Sequence, residues 1–455
     1  MRSVALINPG TGMAYQEPLN LGFLASYLEL HNVPVTIIDE QAGQDIMLEI
    51  DKFQPDIVAI TSTTPTAPDA YRIADNCRRK GIFTIMGGVH ATIMPNEALQ
   101  HVDKVIVGEG ELALFDLSLD YNVNSSIISR PYIKNIDDIP IPARHLMDMK
   151  FYLKTKDRIP DSYLYFVPPN TRTASMITSR GCPYDCNFCH NTWRNMPCRY
   201  NSPDRVIDEI KHLIDDYKVR AIFFIEDNLF VNKKRLISIC ELIKKEKIDI
   251  IWGGNARVDN IDENILQVTK SAGCRQVTFG FESGSQNTLD MMNKGTTVKQ
   301  NEDAINLCNK VGIIPQGTFM IGNVKETYED VNKTKMFIEN NKIESAGVCI
   351  TIAYPGTKLW DWCKVNNKIP EDLKWDDFVF GKNPIKICDD ISYSELRRIQ
   401  FEIDQISFLR KNNSLNVSQL IMSSFNHPDR LLNMLKILYH NPNYVNNIIS
   451  RMRLK

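Results

Sequence analysis

Over the first 120 residues, short continuous apolar runs alternate with stretches of helical period. The apolar runs are Ser3–Asn8, Pro34–Asp39, Asp56–Thr61, Ile82–Met86 and Lys104–Val107. Helical patterns separate them at Leu19–His31, Gln44–Phe53, Pro68–Lys80, Pro95–His101 and Glu109–Leu119. A strand that is apolar at every position is buried on both faces, as in a parallel sheet covered by helices. Five such strands with helical crossovers predict a doubly wound α/β sheet over residues 1–120.

That rhythm stops in residues 121–171, where Pro140, Pro142, Pro168 and Pro169 act as breakers, so the stretch reads as a linker. A second series begins at Ala174. Its expected strands are Ala174–Ser179, Ala221–Ile225, Ile248–Trp252, Gln276–Phe281, Gln316–Ile321 and Gly347–Ile352. Helices are expected at Pro203–Tyr217, Lys233–Lys245, Glu263–Ser271, Val298–Val311, Glu326–Asn340 and Thr357–Asn366. Eight βα units would close a barrel, and six leave it open. The expected fold is therefore α/β: a flavodoxin-like doubly wound parallel sheet (1–120), a linker (121–171), a partial (β/α)6 barrel (172–389) and a helical region (390–455). Within the last region Arg430–Tyr439 is amphipathic, and Arg451, Arg453 and Lys455 follow it. A helix docked on the barrel is the preferred reading of that end, with a membrane-surface contact as the other.

Composition narrows the class. The chain has 455 residues, 43% of them apolar and 24% charged, which is ordinary for a globular protein and excludes disorder, collagen and coiled coil. Lys and Arg number 53 against 55 Asp and Glu, a balance of −2 that argues against a nucleic-acid partner. No apolar run of about 18 residues exists, so no transmembrane helix is expected. The N-terminus reads as a strand broken by Pro9-Gly10 and not as a signal peptide, so a cytoplasmic location is expected.

Of 11 cysteines, three fall together, Cys182, Cys186 and Cys189, in Thr178-Ser179-Arg180-Gly181-Cys182-Pro183-Tyr184-Asp185-Cys186-Asn187-Phe188-Cys189-His190. Clustered thiols beside scattered single ones suit a reducing compartment and a metal site better than disulfides. Three thiolates hold three irons of a 4Fe-4S cube and leave the fourth open for a ligand. Zinc is the other reading, with Cys198 or His190 as fourth ligand, although no second C-x2-C pair exists.

This C-x3-C-x2-C loop, after the first strand of a partial barrel, resembles the signature of radical S-adenosylmethionine (SAM) enzymes. The resemblance spans about residues 170–390. It implies a 4Fe-4S cluster on Cys182, Cys186 and Cys189. SAM would chelate the open iron and be cleaved to a 5′-deoxyadenosyl radical. Motifs at successive strand ends agree with it: Ile225-Glu226-Asp227-Asn228, Asn255-Ala256-Arg257-Val258-Asp259 and Phe279-Gly280-Phe281-Glu282-Ser283-Gly284. By resemblance, Glu226 and Asp227 lie near the SAM ammonium, Arg257 faces its carboxylate, Glu282 and Ser283 touch its ribose, and Phe188 lies beside its adenine. Gly322-Asn323-Val324-Lys325-Glu326-Thr327 resembles a G-x-P-x-E-T element with valine in place of proline. Ile350–Thr357 resembles a Y-P-G-T turn near a substrate cavity.

Upstream, Leu21-Gly22-Phe23-Leu24, Gly87-Gly88-Val89-His90 and Gly108-Glu109-Gly110-Glu111 resemble the cobalamin-binding domain fused to many radical SAM proteins. The implied cobalamin contacts are Ser62, Thr63, Gly87, Gly88, His90, Gly108, Glu109 and Gly110. The D-x-H-x-x-G motif that supplies a histidine to cobalt elsewhere is absent. The family implies a cobalamin-dependent methyltransferase acting on an unactivated carbon or phosphorus centre of a small molecule. Its electrons would come from a donor such as flavodoxin or ferredoxin. Three alternatives stand beside it: a cobalamin-dependent ring contraction or oxidative cyclisation, a cobalamin-free radical SAM carbon–carbon coupling, and a corrin-binding sensor or electron carrier.

Overall fold

The computed structural model describes residues 1–10, 16–153, 164, 166–168, 170–190, 196–378, 382 and 385–411. Residues 1–403 form one compact unit and 404–455 a second. Of the second unit, only the end of helix Tyr393–Lys411 is described; Arg430–Tyr439, Arg451, Arg453 and Lys455 lie outside the described residues.

The first sheet contains β1 (Val4–Asn8), β2 (Val35–Asp39), β3 (Ile57–Thr61), β4 (Phe83–Gly87), β5 (Lys104–Val107) and β6 (Ile127–Ser129). The order is β2-β1-β3-β4-β5-β6, and every pair is parallel. Each face carries its own core. Leu6, Ile57 and Ile85 pack on one side with Leu21, and Ala5, Val58 and Met86 on the other with Ile73. The strand order reverses between β1 and β3, which opens a crevice at their carboxyl ends.

The stretch expected to be a linker is more structured than that. Its Ile127–Ser129 forms the edge strand β6, too short to leave a signal among polar neighbours. Its Arg144 is fully buried, ion-paired to Glu209 Oε1 at 2.8 Å and donating to the Ser175 carbonyl at 2.9 Å. Glu17, in turn, accepts from the Ser175 amide at 3.2 Å. The connection is thus bolted beneath the first barrel strand.

That strand is β7 (Thr173–Met176). A two-stranded antiparallel ribbon follows, β8 (Ser179–Arg180) with β9 (Arg199–Tyr200). Then come β10 (Ala221–Phe224), β11 (Ile251–Ala256), β12 (Cys274–Glu282), β13 (Ile314–Ile321) and β14 (Ser345–Ile350). The sheet order β14-β13-β12-β11-β10-β7 is sequential and wholly parallel, an open six-stranded barrel.

Helices Pro203–Tyr217, Lys233–Lys245, Glu263–Ser271 and Val298–Val311 keep their expected bounds because capping residues fix them. Ser202, Asn232, Asp262 and Thr297 each accept an amide of the first turn. Helix Tyr328–Asn340 starts later than expected because Thr327 and Asp330 form a capping box. The third barrel strand is displaced from Ile248–Trp252 to Ile251–Ala256. Gly253 and Gly254 look like breakers but lie inside the strand. A Cβ would meet Phe166 Cε1 at 3.0 Å from Gly253, and Leu229 Cδ2 at 2.9 Å from Gly254. Asn255 and Ala256 consequently lie on the strand and not after it.

Candidate active site

The carboxyl ends of both sheets open onto one cavity of about 380 Å³. One wall comes from the first sheet: Ala59–Thr63, Gly87–Val89, and Gly108–Glu111. The other comes from the barrel: Ser179–Gly181 and Ile225–Asp227. Apolar side chains such as Phe23, Leu24, Ile106, Ile177 and Ile225 make up most of its remaining surface.

On the first-sheet side four glycines, Gly87, Gly88, Gly108 and Gly110, bring backbone to the cavity. Gly88 has φ +89°, and a Cβ there would meet Ser62 O at 2.7 Å and Ser62 N at 2.8 Å. Gly108 has φ +91° and nothing within 4 Å of its Cβ position, so bare backbone faces the cavity. Thr63 is exposed at the cavity wall, whereas Ser62 is wholly buried and serves the turn: its Oγ donates to Gly87 O and accepts from Ala91 N.

His90 departs from expectation. It lies in the short helix Gly88–Ile93, is 0% exposed and does not line the cavity. Its Nε2 is 3.0 Å from Tyr71 Oη, and its Nδ1 is 3.3 Å from Thr64 Oγ1. Tyr71 donates onward to Glu97, which also accepts from Trp375 Nε1. Helical rotation after Gly88 turns the imidazole inward, so it ties this helix to the Trp375 segment and offers no nitrogen to a ligand in the cavity.

Glu109 lines the cavity, but its carboxylate is occupied. It binds Arg180 Nη1 at 2.9 Å and both terminal nitrogens of Arg199 at 2.7 and 3.0 Å. Burial would raise its pKa, and the two guanidiniums hold it below the ordinary value.

The barrel side carries charge. The loop from Cys182 to Cys189 is held by Asn187 N donating to Met292 O and by Asn187 O accepting from Leu359 N, each at 3.0 Å. Arg257 Nη1 lies 3.7 Å from Cys186 Sγ, and its guanidinium stacks 3.6 Å from the Tyr184 ring centre. The same guanidinium grips Asp259 at 3.1 Å through two nitrogens and donates to Lys294 O at 2.7 Å.

Burial, the nearby Asp227 and the other thiols push the Cys189 thiol up to about 12; burial also raises Cys182. A cationic cluster would relieve both effects by binding the thiolates. Among the described residues no three His, Cys, Asp or Glu converge as a single metal ion requires. A cube holding each thiolate at a separate corner needs no such convergence. Three thiols on one loop, close enough to raise one another's pKa, fit a 4Fe-4S cluster, and the glycine wall fits a large flat ring.

Asp227 opens onto the cavity, and the surrounding protein raises its carboxyl pKa. Its neighbour Glu226 also borders the cavity but is buried and occupied: burial raises its pKa, Thr178 N donates to it at 2.6 Å and Thr178 Oγ1 at 2.9 Å. Glu282 has φ +62° at a register shift in β12 and pairs with buried Lys294 Nζ at 2.7 Å. Ser283 turns away from the cavity wall to Thr334 Oγ1 at 2.8 Å and Ser285 N at 3.0 Å. Phe188 packs against the apolar cluster around Trp360, with Lys294 Nζ 5.9 Å from its ring centre.

The structure thus brings Ser62, Thr63, Gly87, Gly88, Gly108, Glu109, Gly110, Glu226 and Asp227 to one cavity. It gives Glu226, Ser283 and His90 enclosed structural partners. Arg180, Glu111, Arg199 and Lys294 escape the sequence reading. Arg180 precedes Gly181-Cys182 directly, which was the available signal, and Lys294 has none.

The profile of the radical SAM superfamily matches residues 176–338, and that of the B12 binding domain matches 13–118. With the two halves on one cavity, these place the chain in a class: it belongs to the radical SAM enzymes that carry a B12-binding domain. Among its relatives, an uncharacterized methyltransferase of Pyrococcus horikoshii, PH0819, is 35% identical over 376 residues, covering 77% of this chain and 79% of that one. The bacteriochlorophyllide d C-12(1)-methyltransferase of Chlorobaculum tepidum is 28% identical, covering 88% and 85%. The anaerobic magnesium-protoporphyrin IX monomethyl ester cyclase of Rubrivivax gelatinosus is 30% identical, covering 75% and 65%. The cobalamin-dependent SAM radical enzyme OxsB, solved with aqua-cobalamin and SAM, shares the fold at TM-score 0.72 and 16% identity, covering 100% of this chain and 82% of that one. Among the described residues no helix is long and apolar enough to cross a membrane.

Proposed function

We propose that this chain is a cobalamin-dependent radical SAM methyltransferase acting on an unactivated carbon or phosphorus centre of a small molecule. The single observation behind the reading is the shared cavity, with glycine backbone on one wall and, on the other, the Asp227 carboxylate and Gly181, the residue that leads into the cluster loop. When bound, the cluster supplies the electron that cleaves SAM and the corrin carries a methyl group.

The protein's own groups then divide the work. Asp227 presents an anion for the SAM ammonium. Glu282, fixed by Lys294, presents oxygens for ribose hydroxyls. Arg257 directs an N–H toward Cys186 Sγ and holds the loop through Asp259 and Tyr184. The apolar wall of Phe23, Ile106, Ile177 and Ile225 keeps water from reactive species. The electron source in this reading is a cytoplasmic donor such as flavodoxin or ferredoxin.

The test uses SAM carrying a deuterated methyl group, with reductant and a panel of tetrapyrrole and phosphonate acceptors. The reading expects a deuterated product with S-adenosylhomocysteine and 5′-deoxyadenosine. The similarity to a cyclase supports a second reading: a ring closure that yields 5′-deoxyadenosine and an unlabelled product. No 5′-deoxyadenosine from protein carrying its cluster would overturn both and leave a corrin-binding sensor.

A further inference from the structure

The loop that leads to the first cluster cysteine and the loop on the glycine wall are joined by four charged side chains. Arg180, the residue before Gly181-Cys182, reaches Glu109 Oε1 at 2.9 Å and Glu111 Oε1 at 2.6 Å. Arg199 faces Arg180 across the β8–β9 ribbon and grips both oxygens of the same Glu109. Two arginines and two glutamates cancel in charge. Three of the four are 5% exposed at the side chain, and Arg180 is 16%. Ile133 closes the set, its amide donating to Glu109 at 3.1 Å and its carbonyl accepting from Arg199 at 2.7 Å.

Placement makes the cluster more than a generic ion pair. Gly108 (φ +91°) precedes Glu109, and Gly181 (φ +95°) follows Arg180. The backbone therefore turns sharply next to the charges on both sides. Where the four side chains meet fixes where bare backbone faces the cavity and where Cys182 begins its loop. Glu109 and Glu111 on one wall and Arg180 on the other themselves line the cavity. A bidentate guanidinium fixes angle as well as distance, which a lysine cannot do.

We propose that the Arg180–Glu109–Glu111–Arg199 set is a positioning latch that fixes the spacing between the corrin site and the cluster. The inference rests on the reading that the cavity holds both cofactors. Radical chemistry between two bound groups tolerates little misplacement, so a latch here governs how often SAM cleavage is followed by transfer.

The test compares wild type with Arg180→Lys and with Glu111→Gln, the milder change because it keeps shape and one acceptor oxygen. Each is loaded with iron, sulfide and hydroxocobalamin, and iron and cobalt are counted. The deciding readout is the dipolar coupling between the reduced cluster and cob(II)alamin, measured by pulsed electron paramagnetic resonance. A weaker or broadened coupling at unchanged metal content supports the latch. An unchanged coupling in both variants overturns it.

Hydrogen exchange on cofactor-free protein gives a second reading that needs no cobalt. In Glu111→Gln the amides of 108–111 and of 179–182 should exchange faster together, by roughly tenfold. Acceleration confined to one segment overturns the latch. Wild type that takes up no cobalt counts against the shared-cavity reading and leaves the exchange result to judge the latch.

Discussion

The two sides of the cavity are built differently. The first-sheet wall is glycine backbone and apolar side chains, with its two carboxylates, Glu109 and Glu111, neutralised by Arg180 and Arg199. Ser62 braces a turn and His90 is sealed behind Tyr71 and Trp375. The barrel side is charged: Asp227 opens onto the cavity, and beyond its lining Arg257 with Asp259 and Glu282 with Lys294 lie by the loop of three thiols. A large, mostly uncharged ring is recognised by shape, and glycine is the residue that lets backbone approach it. A zwitterionic nucleoside and a metal cube are recognised by charge. The difference teaches that the two cofactor sites should fail in different ways.

The largest effect separates the walls outright. Cys182→Ala, Cys186→Ala or Cys189→Ala should each abolish 5′-deoxyadenosine formation while cobalt uptake survives. Product analysis and metal counts on the same sample check it. Retained turnover in any of the three would refute the cluster assignment.

The reciprocal change lies in the glycines. Gly88→Ala forces a Cβ against Ser62 backbone at a left-handed φ, and should cost about 2 kcal/mol or more in stability. Gly108→Ala has open space and bears only the φ strain, about 1 kcal/mol. Cobalamin affinity should nevertheless fall in Gly108→Ala by on the order of tenfold, because its methyl points into the cavity. Denaturation and cobalamin titration distinguish the two variants. Equal affinity in Gly108→Ala and wild type would mean the ring does not approach that wall.

Glu282→Ala should weaken SAM binding by about tenfold with the cluster still assembling, the cost of one lost charged hydrogen bond. Equilibrium binding with iron counts measures it, and unchanged affinity removes Glu282 from the ribose.

The last effect touches neither cofactor site directly and is a pH dependence of stability. Burial pushes Glu326 up to about 7 despite amide bonds from Gly322 and Asn323. The folded chain therefore keeps a proton there that the unfolded chain has lost. Stability should fall as pH rises from about 4.5 through 7, by on the order of 1–3 kcal/mol. Glu326→Gln should flatten that slope in urea melts, and an unaltered slope would assign it elsewhere.

Legibility in the sequence followed the same division. Buried parallel strands are continuous apolar runs, and capped helices carry their start signals. Ten of the expected strands overlapped observed ones closely for that reason, while β11 shifted because two glycines inside it read as breakers. Strand β6 was lost among polar neighbours in the supposed linker. The cluster loop is local, so three cysteines and their spacing were readable directly.

Side-chain direction was not readable. His90 and Thr92 share a short helix, yet only Thr92 lines the cavity. Glu226 and Asp227 both border the cavity, yet Glu226 is buried and bound by Thr178 while Asp227 is exposed. Arg199 meets Glu109 across 90 positions, a pairing that only the folded topology creates.

The central claim is that both walls hold a cofactor at once. The most direct measurement is an iron and cobalt count on protein purified without oxygen from cobalamin-fed cells, with its ultraviolet–visible spectrum. The account predicts about four irons and one cobalt per chain, with corrin bands over the iron–sulfur absorption. Four irons with no cobalt, even after reconstitution with hydroxocobalamin, would contradict it.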